Sequence, residues 1–407
     1  MNNYCPISEP MPPEADRSHI AADPHPRLAE LRALHPLAKF APGRYLVLRA
    51  EDVIPLMTDP RTRHIEGPDY VTFSGIPSGV TARFLSRVFL LSNGECHRSR
   101  RNLFVRSCAQ NNARVFRGKI RAAADRIIAE MPGEERFDFV EQVASRISTE
   151  TTAAILGLPS DDGGYFTYLV RDLSRALAPH YPHEHHDQIE NAVGELFDYL
   201  ETQLRMRMVE PRDDLLSSLL AGWQSSQVIT FEDLIFQVLG LVVGGRDTMR
   251  NSFAMLVANL NQNPEIWEIL RQNRQGIPSA VAESLRFDPP VGAVHRRTTE
   301  PIRVGNTWLP TGTDLVLSLM SAQRDPAIID SPERFDIFRS EQPDLQISFG
   351  VGPHRCLGEM LARIKLEESL DSLLSAVSSL SLFETPRMRG FEDTRQVTPM
   401  PVRISFA

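Results

Sequence analysis

The stretch Ile347-Ser-Phe-Gly350-Val-Gly352-Pro-His354-Arg-Cys356-Leu-Gly358-Glu359 sets a single cysteine in a glycine-rich loop that runs straight into an amphipathic segment. Gly350 and Gly352 let the backbone fold back so that its N–H groups approach the sulfur. The helix that follows turns its positive end toward the same atom, which favours the thiolate. Gly358, two residues on, lets a flat, bulky group lie against the start of that helix. Cys5, Cys96 and Cys108 are scattered elsewhere, so no disulfide framework or zinc cluster forms around the loop. The loop reads as one thiolate with an open face. A buried structural cysteine is the plain alternative.

Around this loop the chain is mainly helical with a minor β region. Apolar residues recur at helical spacing over 112–130, 137–156, 164–177, 187–208, 231–260 and 357–378. Strand-like runs are short: Tyr45–Arg49, then Ile302–Val304, a turn at Gly305-Asn306, Trp308-Leu309 and Asp314–Ser318. No linker divides the 407 residues, so a single domain over 1–407 is expected, its first 26 residues an extended segment. The net charge of −8 argues against nucleic acid as the main partner. Met1–Pro26 lacks the apolar centre of a signal peptide, and Leu234–Gly245 is too short to span a bilayer. A cytoplasmic protein without a membrane anchor is the expectation.

Phe349-Gly350-x-Gly352-x-His354-x-Cys356-x-Gly358 resembles the heme-binding loop of the cytochrome P-450 family, six positions agreeing at fixed spacing. A thiolate open on one side is what a heme iron uses as proximal ligand. The resemblance implies the soluble, bacterial-type cytochrome P-450 fold, with heme b (iron protoporphyrin IX) held between a distal and a proximal helix. Cys356 would be the metal ligand, with Phe349, Gly350 and Gly358 against the cofactor.

A second motif agrees. Val242-Val-Gly244-Gly245-Arg-Asp247-Thr248-Met-Arg-Asn251 lies in a segment capped by Thr230, with Asp233 at the third helical position. The segment is apolar nearly all round before the glycines, so it should run through the core. Two adjacent glycines cost a helix about 1 kcal/mol each against alanine, which a purely structural helix has no reason to bear. They would make room for dioxygen, and Asp247 and Thr248 after them could relay protons to it. The motif matches the family's distal helix, with Gly244 where alanine is commoner. Arg246 would face away from the heme. In the competing reading, Thr248 is a core hydroxyl and Asp247 an ion-pair partner.

Glu283-Ser-Leu-Arg286 places an acid and a base one helical turn apart in apolar surroundings. With Ser331-Pro-Glu-Arg334-Phe it resembles the family's buried triad, Glu283, Arg286 and Arg334, a structural device. Heme propionates need cationic or hydrogen-bonding partners. The resemblance supplies His97 and Arg101, one turn apart, together with Arg296 and His354. Arg297 is an alternative to Arg296, and spacing favours Arg296.

Between Glu95 and Asp125 stand eight Lys and Arg and no acid, either a docking island for an acidic electron donor or a solvated helix face. Ala178-Pro-His-Tyr-Pro-His-Glu-His-His-Asp187 reads as a solvated loop, in the family a lid over the substrate channel. Tyr70, Phe73, Ile76, Val243, Val291, Val294 and Val397 are the expected pocket wall, which suits a hydrophobic small molecule. The resemblance as a whole implies a monooxygenase that hydroxylates or epoxidises its substrate. Electrons would pass from NAD(P)H through a ferredoxin reductase and a ferredoxin, of the 2Fe–2S type. Oxidative coupling or desaturation on the same fold, and a non-catalytic heme-binding protein, are the alternatives.

Overall fold

The computed structural model describes residues 11–107, 113–178, 181–339 and 347–407. Most periodic segments fold as their spacing predicts: Ala113–Ala129, Gly163–Ser174, His186–Val209, Phe231–Asn261 and Glu359–Ala376 are helices. The segment 137–156 differs. It opens as a two-residue strand, Phe137–Asp138, passes through a π-helical turn, Val140–Ala144, and only then becomes the α-helix Ser145–Leu156. Asp138 is the cause: its carboxylate accepts from the N–H of Val140 (3.0 Å) and of Met400 (2.9 Å), which ties 137–138 to the C-terminal strand.

Phe231–Asn261, the long helix, starts at the expected capping box, where Thr230 Oγ1 accepts from Asp233 N–H at 3.0 Å. Its side chains divide between two cores. Leu234 to Val243 pack with the helices Val80–Arg87, Gly163–Ser174 and His186–Val209. Met249 to Leu260 pack with Ala113–Ala129, Ile277–Phe287 and the far end of Glu359–Ala376. Residues 244–248 belong to neither core. The helix Glu359–Ala376, called here the cysteine helix, is split likewise: Leu361 and Ile364 join the first core, Leu366 to Leu374 the second.

The β region carries a five-stranded sheet ordered Leu37–Ala41, Arg44–Val47, Asp314–Ser318, Ala293–Thr298, Thr62–Arg63. All its pairings are antiparallel except Arg44–Val47 with Asp314–Ser318. Ala293–Thr298 was not legible as a strand; its alternation puts Arg296 inside and Arg297 out. The hairpin Ile302–Val304 with Thr307–Leu309 turns at Gly305, whose φ of +54° favours glycine. Among the described residues no helix is long and apolar enough to cross a membrane.

Candidate active site

The cysteine loop has the geometry its glycines suggest. Gly350 and Gly352 both take φ of +71°, and Cys356 N–H donates to Phe349 O at 2.7 Å. Gly358 caps the cysteine helix. Cys356 lies deep among protein atoms, yet its side chain is exposed, because the sulfur looks into open space rather than onto packed neighbours. Burial pushes the thiol up, while the Gly358 N–H and the Arg101 and Arg355 guanidinium groups favour the thiolate. A thiol raised by its surroundings becomes a firm thiolate only when a cation binds it.

The long helix shows the matching gap. Although it threads the interior, Gly244 is exposed, and a Cβ built on Gly244 or Gly245 meets nothing within 4 Å. Thr248 Oγ1 donates back to Gly244 O at 3.0 Å. Asp247 accepts from the Arg246 guanidinium at 2.5 Å, with Arg250 at 3.8 Å. The acid therefore rests in the ion pair of the competing reading, not on Thr248. Arg246 itself is buried among Ser148, Thr149, Phe166 and Val170, on the side where the long helix meets its neighbouring helices.

A cluster of unmatched donors completes the site. His97 is buried and its Nε2 has no hydrogen-bond partner. Its ring centroid is 4.3 Å from that of His354, and His354 stacks on His64 at 5.6 Å. Burial first, then neighbouring cationic groups, hold His354 down to about 3 and His97 to about 4. His64 is likewise held down to about 4, with burial the largest cause. Arg296 is buried and donates to the carbonyls of Met57 (3.2 Å) and His295 (2.8 Å), and burial brings it down to about 10. Arg101 donates to Arg355 O at 2.6 Å. Among the described residues no carboxylate pairs with Arg101 or Arg296. Arg297 is exposed, 3.4 Å from Asp314, whereas Arg296 is the inward-facing one of the two neighbours. His64 was missed because it lies outside any motif, on an irregular stretch after the edge strand Thr62–Arg63.

Two expectations need correction. Glu283 and Arg286 do form a buried bidentate pair (2.7 and 2.8 Å), and Arg286 also donates to Arg334 O. The Arg334 side chain, however, is 75% exposed, and Arg339 reaches Glu283 at 3.2 Å in its place. Arg334 contributes its carbonyl to the cluster, while its side chain lies at the surface 3.9 Å from Asp336. Phe73, expected in the pocket, ends a short helix and is 87% exposed. Of the other wall residues, Tyr70, Ile76 and Val243 join the first helical core, with Tyr70 OH 3.2 Å from Ala178 O. Val291 and Val294 pack with the sheet, and Val397 packs against the second core. Phe349 packs there too, under the Arg363 guanidinium.

The basic island is neutralised in part. Arg117 pairs with Glu367 (2.5 Å) and Glu368 (2.6 Å), and Arg121 with Asp125 and Asp371. Lys119 donates to Asp213 O, while Arg98 is paired with Glu95 at the surface. The side chains of Arg106 and Arg114, and residues 179–180 of the histidine loop, lie outside the described residues.

The sequence model of the cytochrome P-450 family matches residues 134–382. The plant-inducible cytochrome P-450-pinF1 of Rhizobium radiobacter is 36% identical over 96% of this chain and 92% of its own. The chain belongs to the cytochrome P-450 family. The nocardicin C N-oxygenase of Nocardia uniformis is 32% identical (90% of this chain, 91% of the relative). The vitamin D(3) 25-hydroxylase of Pseudonocardia autotrophica is 30% identical (88% of each). A solved cytochrome P-450 from Chondromyces apiculatus shares the fold, with a TM-score of 0.84 over 98% of this chain and all of the other, at 22% identity. This P-450 is thus an oxidoreductase of a monooxygenase family, and the family implies heme. The residues fit that group: an open sulfur, a side-chain-free notch on the long helix, and unpaired arginines and imidazoles suited to two carboxylates.

Proposed function

We propose that this P-450 inserts one atom of dioxygen into a C–H or C=C bond of a hydrophobic small molecule. The observation that carries the reading is the open notch at Gly244-Gly245 beside Asp247 and Thr248, on a helix otherwise packed along its length. When bound, heme supplies dioxygen activation: with two electrons and two protons, one oxygen atom enters the substrate and the other leaves as water. Cys356 would hold the iron. Arg101, Arg296, His97 and His354, joined by His64, would hold the propionates by charge-assisted hydrogen bonds.

Thr248 would deliver the protons through its hydroxyl. Asp247 would resupply them by turning from Arg246, an exchange between two near neighbours on one helix. Arg246 then serves as the resting partner of the acid. The electrons would come from NAD(P)H through a reductase and a ferredoxin. Arg98 and Arg100, beside the cysteine loop's partner Arg101, are the docking residues, since Arg98 is held by an exposed surface pair with Glu95 that a partner's carboxylate can replace. The apolar lining around Tyr70, Val243 and Val294 favours an apolar substrate, and hydroxylation by the vitamin D(3) relative agrees with it.

Titration of the ferric enzyme with terpenoids, steroids, alkyl chains and arenes tests the proposal. A hydrophobic ligand should displace water from the iron, shift the Soret band to the blue and yield an oxygenated product with NAD(P)H, ferredoxin and reductase. Ligand-induced shifts without any oxygenated product would overturn it. In parallel, Cys356→His should abolish the red-shifted Soret band of the ferrous carbonyl complex. Retention of that band would assign the iron to another ligand.

A further inference from the structure

The cysteine helix carries a lysine where charge is least welcome. Lys365 is 6% exposed and sits between the cysteine helix, Ser145–Leu156 and the long helix. Among the described residues no carboxylate accompanies it. Its ammonium donates to Thr152 Oγ1 at 2.5 Å and lies 3.4 Å from Ser148 O. Thr152 Oγ1 in turn donates to Ser148 O at 2.7 Å. Ser148 Oγ then crosses to the long helix, donating to Arg246 O at 2.6 Å with Gly245 O at 3.3 Å. Those two carbonyls are the helical acceptors for the N–H groups of Arg250 and Met249. The gap beside this contact, lined by Ser148, Thr149, Thr152, Val242 and Arg246, is too small for a water that could substitute for a lost bond.

Burying an unpaired ammonium is costly, and an apolar side chain of the same volume would usually do better for stability. The lysine must therefore do something besides fill space. On its open face the long helix has nothing against Gly244 and Gly245, and the glycine pair weakens it there. The closed face holds this segment in place, through Ser148 and the buried Arg246 side chain.

We propose that Lys365 is a positioning residue for the proton-delivery segment: through Thr152 and Ser148 it fixes the stretch of the long helix that carries Asp247 and Thr248. This rests on the proton-delivery reading of Asp247 and Thr248. Purified, heme-loaded Lys365→Met, Lys365→Gln and Ser148→Ala test it. Amide hydrogen exchange across 244–251 is measured without substrate, and product formed per NAD(P)H with it. Lys365→Met should speed exchange at Met249 and Arg250 several-fold and lower coupling several-fold. Lys365→Gln, which keeps an uncharged donor, should restore both toward wild type. If Lys365→Met fails to load heme, Ser148→Ala carries the test, because it cuts the same link and leaves the lysine in place.

Wild-type exchange in Lys365→Met, or in Ser148→Ala where that variant carries the test, overturns the proposal. A Thr248→Ala control separates the two ideas. If that control uncouples while Lys365→Met keeps wild-type exchange and coupling, the positioning role fails and the proton-delivery reading stands. If the Thr248→Ala control couples like wild type, the proton-delivery reading fails, and the proposal built on it falls as well.

Discussion

At the residue scale, the acid and the alcohol of the long helix are held by different partners, and that difference can be measured. Among the described residues Thr248 bonds only its own helix carbonyl, so its hydroxyl can turn toward a bound oxygen. A positioned proton donor is worth roughly 10²–10⁴ in rate. Thr248→Ala should therefore keep substrate binding and NAD(P)H consumption, form much less product and release hydrogen peroxide; wild-type coupling would reduce Thr248 to a helix hydroxyl. Asp247→Asn should slow turnover instead, since it removes the acid that reloads Thr248. The triad offers a sharper contrast. Arg334 is exposed and gives only its carbonyl, so Arg334→Ala should change stability by no more than about 0.5 kcal/mol. Arg339→Ala leaves the buried Glu283 with one partner fewer and should cost clearly more in a thermal melt.

At the scale of elements, the cysteine helix links its buried lysine to the pH range of stability. Burial brings Lys365 from 10.5 to about 7 in the folded protein. Between these values the unfolded chain holds a proton that the folded chain does not, so stability rises with pH from about 7 to about 10.5. Below about 7 both states are protonated and the whole penalty is present. Lys365→Met should raise the melting temperature more at pH 6 than at pH 9.5 and flatten the rise between them; an unchanged pH profile would mean that the ammonium is solvated.

The elements also show what a sequence can and cannot reveal. Helices with a long apolar stripe, the capping box at Thr230 and the glycine loop were legible because local spacing encodes them. The strand Ala293–Thr298 was not, since its two arginines break the apolar pattern that marks a strand. His64 and Arg339 escaped for another reason: each reaches the site by tertiary packing, with no spacing to betray it. Lys365 was hidden inside a helical run that also reads as an ordinary amphipathic face.

At the scale of the whole molecule, charge that seems concentrated in sequence is dispersed in space. Arg117 and Arg121 look like part of a basic island until the cysteine helix brings Glu367, Glu368 and Asp371 against them. Exposed charges act over about 8–10 Å at ordinary ionic strength. Reduction by an acidic ferredoxin should still slow as salt rises, but through Arg98 and Arg100. Arg98→Glu should lower the second-order reduction rate, whereas Arg117→Ala should lower the melting temperature and leave that rate nearly unchanged. A salt-independent rate would move the docking face elsewhere.

The long helix is a single rod embedded in two separate apolar masses, and its glycine-bearing stretch 244–248 lies between them. Cooperativity then depends on what bridges the gap. The long helix, the cysteine helix, Ala113–Ala129 and Ser145–Leu156 all cross between the two masses, and the long helix does so through its glycine-weakened turn, so in the heme-free chain calorimetry should resolve two overlapping transitions. A ligand that touches both masses stabilises each only while the other is folded, and so fuses them into one melting unit. Heme loading should merge the two endotherms into one at higher temperature, making the prosthetic group the keystone of the fold as well as its reactive centre.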